Sequence, residues 1–583
     1  MTKKALKISI ATTVLAMTAA CGDDPAGGGG GGTDTDAVTA TAADPTTDPT
    51  EADTDEESGE DEDSGSADET GGDTDDPEIS DCDQATFDNV IDEAMCLHVQ
   101  EVGVQPEPAD QVEICRRLYI DLLGISPTSV DYEVDCKNRT VEEMVDDFMA
   151  RPEYVLMSQR MWADVFHMNS ELTYYRYIQE LDALVGQVYA PNPAEQITLD
   201  AFAVNAVTHP AFLGRWDGLD LVGFNFLSHF GRDASGAERL DIFPLFRMWE
   251  ERTVMDPLQG ETHHVVLNTN NCINSALCSS DFWEPADQVV IPQPSPGSAD
   301  PELNVINVDL LTQQQWDILR LPGQRVAQSG EFYEAYIDRT LDRYLGYDLG
   351  TEVPAARQAL VDLLEANGGN ARVVDREILT ALVYTATNVW EEDDKPDPET
   401  WDAPYWHGPT KQMGAEVWLR STQRLVGQVP GSCDHRYPEV LGTHPHAYPT
   451  TDGTTPDYSF RDTARLLGGC PDRESSFRET RAGLIAALTQ ATLTQDLCLA
   501  ATENSPIYPD QFIEDPNDED EAALSAAANQ IYAAALIRPI PATAADALDA
   551  GVDGCRDDSN CDPAQFAEHT CRLVIKSSDF LFY

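Results

Sequence analysis

Ile114-Cys-Arg-Arg-Leu-Tyr-Ile-Asp-Leu-Leu-Gly-Ile-Ser-Pro-Thr128 is the stretch that decides the fold class. Leu118, Leu122 and Ile125 share one face at helical spacing. A tight turn follows at Gly124, and Pro127 can open a new helix at its first turn. The pattern continues downstream. Val141, Met144, Val145 and Phe148 share a face behind Thr140, whose hydroxyl and the Glu143 carboxylate form a capping box that satisfies free N–H groups at the helix start. Leu360, Leu363 and Leu364 make a third apolar set. Period-two alternation is scarce. Residues 257–310 are the least helical, with Pro292, Pro294, Pro296 and a Val-Val-Leu run after His264. The expected fold is mainly α, with an irregular central insertion.

One plan recurs three times, which predicts helical repeats of a three-helix unit. Arg117 to Gly124, Pro127 and Phe148 to Tyr154 make the first copy. Tyr344-Leu-Gly346, Pro354 and Ile378 to Tyr384 make the second. Ile531-Tyr532, Arg538-Pro-Ile-Pro541 and Val574 to Phe580 make the third. In each, a helix stops at a turn, Pro opens another, and the last segment closes with an apolar residue six before an aromatic.

Charge narrows the function. The 583 residues carry 104 Asp+Glu against 36 Lys+Arg, a net charge of −68. A chain without a basic face does not bind nucleic acid, and no apolar run reaches the length of a spanning helix. Residues 1–20 read as an export signal, with Lys3, Lys4 and Lys7 ahead of an apolar stretch from Ile8 to Met17. Leu15-Ala-Met-Thr-Ala-Ala-Cys21 resembles a bacterial lipoprotein box, which implies cleavage before Cys21 and its diacylation. Gly22 rather than Asp follows, and by that resemblance the outer membrane is the expected address. Residues 22–80 hold 21 acidic residues and no Lys or Arg, with a Gly27–Gly32 run. They cannot bury enough apolar surface to order themselves, and as a flexible tether would reach on the order of 40–45 Å.

Thirteen cysteines less Cys21 leave twelve, an even number suited to an oxidising compartment. Short separations suggest Cys82–Cys96, Cys115–Cys136, Cys272–Cys278, Cys433–Cys470 and Cys555–Cys561, leaving Cys498 with Cys571. Sequence alone leaves other connectivities open. No Cys-x-x-Cys occurs, so covalent haem and a zinc knuckle are not expected.

Ile114 to Thr128, Phe148-Met-Ala-Arg-Pro-Glu-Tyr154 and Trp162-Ala-Asp164-Val165 together resemble the planctomycete cytochrome-c-associated domains, a family of largely unknown activity. Gln412-Met-Gly-Ala-Glu416, Ile531 to Pro541 and Ser577-Ser-Asp-Phe-Leu-Phe-Tyr583 resemble the family's companion C-terminal domain. The likeness covers about 110–230 and about 330–583. Between the two domains the family often carries a haem motif. Here that zone reads Asn271-Cys-Ile-Asn-Ser-Ala-Leu-Cys278, with the wrong spacing and no His, and His167 stands where the family has Arg. The expected divisions are 1–20 signal, 21–81 tether, 82–256 N-terminal helical domain, 257–329 disulfide-containing insertion and 330–583 companion domain.

Candidate sites are few. Arg116, Arg117 and Asp164 could form a polar centre, though Arg–Asp pairs also bind helices together. His435, His444 and His446, near Cys433 and Asp452, have the types for zinc or copper, but the segment reads as a Pro/Gly-rich loop; His263-His264 is weaker. Asp553-Gly-Cys-Arg-Asp-Asp-Ser-Asn-Cys-Asp562 is oxygen-rich, but its acids miss the EF-hand pattern, so calcium is unsupported. No nucleophile elbow, zinc-protease helix or phosphate loop occurs. The expectation is a non-enzymatic, non-redox lipoprotein that binds or assembles at the cell surface. Its partners would be the membrane and a polysaccharide or another envelope protein, with no cofactor. The alternatives are a hydrolase of extracellular polysaccharide and an accessory to a separate c-type cytochrome.

Overall fold

Helices begin where the sequence supplies a cap. Asn89 Oδ1 accepts the N–H groups of Ile91 and Asp92 at the head of α1 (Val90–Val102). Asp110 accepts from Glu113 at the head of α2 (Gln111–Leu118), and Thr140 and Glu143 form the reciprocal box at α3 (Val141–Met149). Such caps contribute about 1 kcal/mol each. α2 passes into a π-helical turn, Tyr119–Leu123, that ends at Gly124 with φ 66°. A Cβ there would lie 2.6 Å from Met157 Sδ, so both the left-handed backbone and the neighbour require glycine. Thr128 and Asp131 then restart a single helical turn with a second capping box.

The computed structural model describes residues 86–102, 106–168, 175–213, 218–256, 260–267, 313–388, 407–428, 459–471, 484–499, 521–540, 550–553 and 563–583, with single residues between them. All lie in one compact unit, Asp76–Tyr583. After α3 come α4 (Pro152–Val165), α5 (Tyr175–Val188), α6 (Leu199–Ala206), α7 (Gly218–Phe230) and α8 (Gly236–Phe246). β1 (Trp249–Asp256) and β2 (Gly260–Leu267) pair antiparallel, from Trp249 opposite Leu267 to Asp256 opposite Gly260. Next are α9 (Gln313–Leu319), α10 (Leu321–Ala327), α11 (Gly330–Leu345), α12 (Pro354–Ala366) and α13 (Ala371–Thr380). The last group is α14 (Ala415–Leu425), α15 (Ser459–Leu466), α16 (Leu484–Leu499), α17 (Glu521–Leu536), α18 (Pro563–Lys576) and α19 (Ser578–Leu581). The described residues are mainly helical, as the periodicity requires. None of their helices is long and apolar enough to cross a membrane.

Only the ends of the expected insertion, 260–267 and 313–329, lie among the described residues. His263 and His264 lie in β2, opposite Thr253 and Arg252, and the hairpin straddles the expected boundary at 256. α10 packs on α6 at very short range: a Cβ on Gly323 would fall 2.6 Å from the Val204 carbonyl oxygen. One glycine therefore turns the end of the insertion into a helix–helix contact.

Among the described residues two large apolar cores organise the unit, with a small third of Leu524, Ala528, Val552 and Phe566. The first runs from Ile91 to Tyr384, so α11–α13 share it with α1–α8. The second takes Met413 to Phe580 and, from far upstream, Ile120. Tyr119, Leu122 and Leu123 belong to the first core, so the π-helical turn straddles the two. Apart from Ile120, the core residues of the first two copies of the repeated plan lie in the first core, and those of the third in the second. Gly124 and Gly346 both cap their helices in the left-handed region, and a single capped helical turn follows each, Ser129–Asp131 and Leu349–Glu352, the second leading on to α12 at Pro354. Disulfides join Cys82 to Cys96, Cys115 to Cys136 and Cys498 to Cys571, and Cys470 is also disulfide-bonded.

Candidate functional site

Arg116 and Arg117 are consecutive on α2, so their side chains leave the helix about 100° apart and meet different partners. Arg116 reaches the C-terminal segment, where its guanidinium donates to the carbonyls of Asp579, Phe580 (2.7 Å) and Phe582 (3.1 Å). Arg117 donates to the carbonyls of Tyr384 (3.0 Å) and Ala386 and pairs with Glu113 one turn back. Glu113 in turn accepts the Thr387 hydroxyl and the Asn388 N–H. Burial depresses both guanidiniums, Arg116 to about 10; the charge of Arg538 adds to that shift and Asp579 opposes it.

Asp164 is not with them. It sits on α4 and binds Arg478 at 2.8 Å, and Arg478 also holds Glu416 at 2.6 Å. Arg160 approaches Glu416 at 3.5 Å from the other side. Burial alone would raise the Glu416 carboxyl, but Arg478 and Arg160 hold it down at about 2. The trio expected from sequence is thus divided, Arg116 on main-chain carbonyls, Arg117 on Glu113 and Asp164 on Arg478, because α2 and α4 present these groups to different parts of the chain. His167, at the end of α4, adopts φ 50° with its ring edge-on to Phe224.

Two buried carboxylates with several partners each, Asp121 and Asp375, were not marked as a site by the sequence. Asp121, in the π-helical turn, receives both the Lys411 ammonium (2.6 and 2.7 Å) and the hydroxyls of Tyr384 and Tyr583 (2.9 Å each). Burial lowers Lys411 and Asp121 opposes that shift. Asp375, fully buried on α13, accepts hydroxyls from Tyr154 (2.7 Å), Tyr344 (3.1 Å) and Tyr336 (3.4 Å); burial raises its carboxyl, against the pull of Arg343. The signal for the first was weak: Lys411 is one of only four lysines after residue 80, although another, Lys137, sits half-exposed in a surface pair with Glu133.

A cleft of about 190 Å³ opens beside the motif helix. Arg116, Arg117 and Arg538 line it with Glu113 and Asp579, and Val112, Leu536 and Phe582 give it apolar walls. It contains two of the three expected polar residues and no Asp164. Among the described residues no three His, Cys, Asp or Glu side chains gather as metal ligands. His435, His444, His446, Cys21, Cys272, Cys278, Cys433, Cys555, Cys561 and most of the 553–562 loop lie outside the described residues.

A disulfide-bonded helical domain whose motif residues hold distant chain segments together is the class that this geometry defines. Residues 90–186, which carry those motif residues, match the family model PSCyt2, described as a protein of unknown function (DUF1549), a planctomycete cytochrome-c-associated domain family. No curated protein and no solved structure matches the chain.

Proposed function

We propose that the protein is a lipoprotein of the outer membrane or cell surface, anchored through acylated Cys21, whose helical body is a non-redox binding or assembly module. The observation that carries this is the cleft beside α2. Its charged groups are engaged in holding the fold, Arg116 on main-chain carbonyls and Arg117 on Glu113 and two further carbonyls. What they offer a visitor is a rigid, charged and partly apolar recess, which suits recognition. The acidic segment after Cys21 serves as a spacer that sets the body off the membrane. Residues 330–583 act as the companion domain that completes the cleft, since Arg538, Asp579 and Phe582 come from them.

Cys21→Ser should move the full-length protein from the membrane fraction to the soluble one, and retention on membranes after a salt wash would refute the anchor. The released protein, screened against a glycan library and isolated envelope polysaccharide with a product assay alongside, should bind at least one class saturably without turnover. Product formation would replace the binding module with the hydrolase. A visible haem band in the purified protein would overturn the non-redox assignment.

A further inference from the structure

We infer that the cleft beside α2 takes a small monoanionic organic acid, its carboxylate on the Arg116–Arg538 side and its apolar body against Val112, Leu536 and Phe582. This rests on the reading of the same cleft as a binding site and names the ligand class. The first argument is charge. Arg116, 7% exposed, is held by three main-chain carbonyls and by no carboxylate. Glu113 is committed to Arg117. Asp579 lies 3.7 Å from Arg538 and already accepts the Tyr532 hydroxyl. Arg116 and Arg538 therefore repel one another at the cleft, and an oxyanion lodged between them would relieve the repulsion with the planar, forked donors that guanidinium groups present.

The second argument is unmet hydrogen bonding. Nε of Arg116, Nε of Arg117 and Oδ1 of Asn388 have no hydrogen-bond partner, although buried donors and acceptors normally find one. These atoms lie behind the cleft wall, so the guanidinium charges of Arg116 and Arg117 are incompletely satisfied from within the fold, which favours an anion over a neutral molecule in the cleft. The third argument is size and field. About 190 Å³ is smaller than the roughly 300–1,000 Å³ of drug-sized sites. A chain of net charge −68 repels a polyanion over its whole length, whereas a monoanion meets a repulsion screened within about 8 Å at physiological salt.

Calorimetric titration of the full-length Cys21→Ser protein in 0.15 M salt tests this, with benzoate, 4-hydroxybenzoate and 3-hydroxybutyrate as probes and 4-hydroxybenzamide as the neutral isostere. The expected result is saturable binding of at least one acid, with the amide at least tenfold weaker. Arg538→Ala should weaken the acid at least tenfold and Arg538→Lys less, with the unliganded melting temperature of each variant within a few degrees of wild type. Equal binding of acid and amide, no binding of any acid, or indifference to Arg538→Ala would each overturn the inference. If the acids fail while the glycan screen still gives a ligand, the ligand class falls and the binding module stands; if both screens are empty, both fall.

Discussion

Lys411→Met should be among the most damaging single substitutions in the described part of the protein. The Lys411 and Asp121 side chains are 10% and 5% exposed, and the ammonium sits 2.6 Å from one carboxylate oxygen and 2.7 Å from the other. Methionine keeps most of the volume and removes the charge, leaving a buried carboxylate with only the Tyr384 and Tyr583 hydroxyls. Breaking one side of a buried pair costs about 3–5 kcal/mol. The two phenol donors that remain place Lys411→Met near the lower end, about 3 kcal/mol. Asp121→Asn removes the counter-charge and leaves the ammonium an amide oxygen, the Arg343 carbonyl at 3.1 Å and the face of Tyr583, and should cost about as much. The double variant strands neither charge, so the two losses should fall short of additive by about 2 kcal/mol or more. Urea unfolding at pH 7 can be followed by fluorescence, because Trp162 lies in the first core and Trp418 in the second. A loss below about 1 kcal/mol for either single variant, or strict additivity in the double, would show that the pair does not clamp the two cores.

Burial pushes Asp92 up to about 6 from 3.8, so the folded state holds a proton that the unfolded chain releases across that interval. Its stabilising contribution is full below about pH 4 and lost as pH rises through about 6. Asp92→Asn, which keeps an acceptor for the Leu382 N–H, should flatten this part of the stability curve and add about 1–2 kcal/mol at pH 7; an unchanged slope refutes the assignment. Glu416 acts in the opposite sense: held down at about 2, it contributes stability above its ordinary 4.5 that disappears as pH falls toward 2, and Glu416→Gln should remove that acid-limb loss. Cys498–Cys571 closes 73 residues and Cys115–Cys136 closes 21, so chain entropy makes them worth about 4 and 3 kcal/mol; paired Cys→Ala variants should rank in that order by urea midpoint, and the reverse order would refute it. With so many acids, the melting temperature should rise between low salt and about 0.5 M, where the Debye length falls to roughly 4 Å, and a flat or falling curve would reject self-repulsion as the dominant surface term.

Sequence by itself determined the local architecture. The Thr140–Glu143 box, the stop at Gly124 and the apolar faces of α2 and α3 depend on residues within about one helical turn, where backbone geometry fixes which side chains meet. Mainly α follows from that. Only the tertiary structure decided partnerships. Arg116 finds its carbonyls more than 460 residues along the chain, Asp121 its lysine 290 residues away and Asp164 its arginine 314 residues away. Spacing carries no information at such separations, because any acid could in principle meet any base, and this chain offers 104 acids to choose from. The Arg-Arg pair was visible as a motif, but its division between two sets of carbonyls depends on how the chain after Tyr384 folds back across α2. The straddling of two cores by Ile120 and its neighbours has the same cause: a π-helical turn rotates adjacent apolar side chains toward elements that the sequence places hundreds of residues apart.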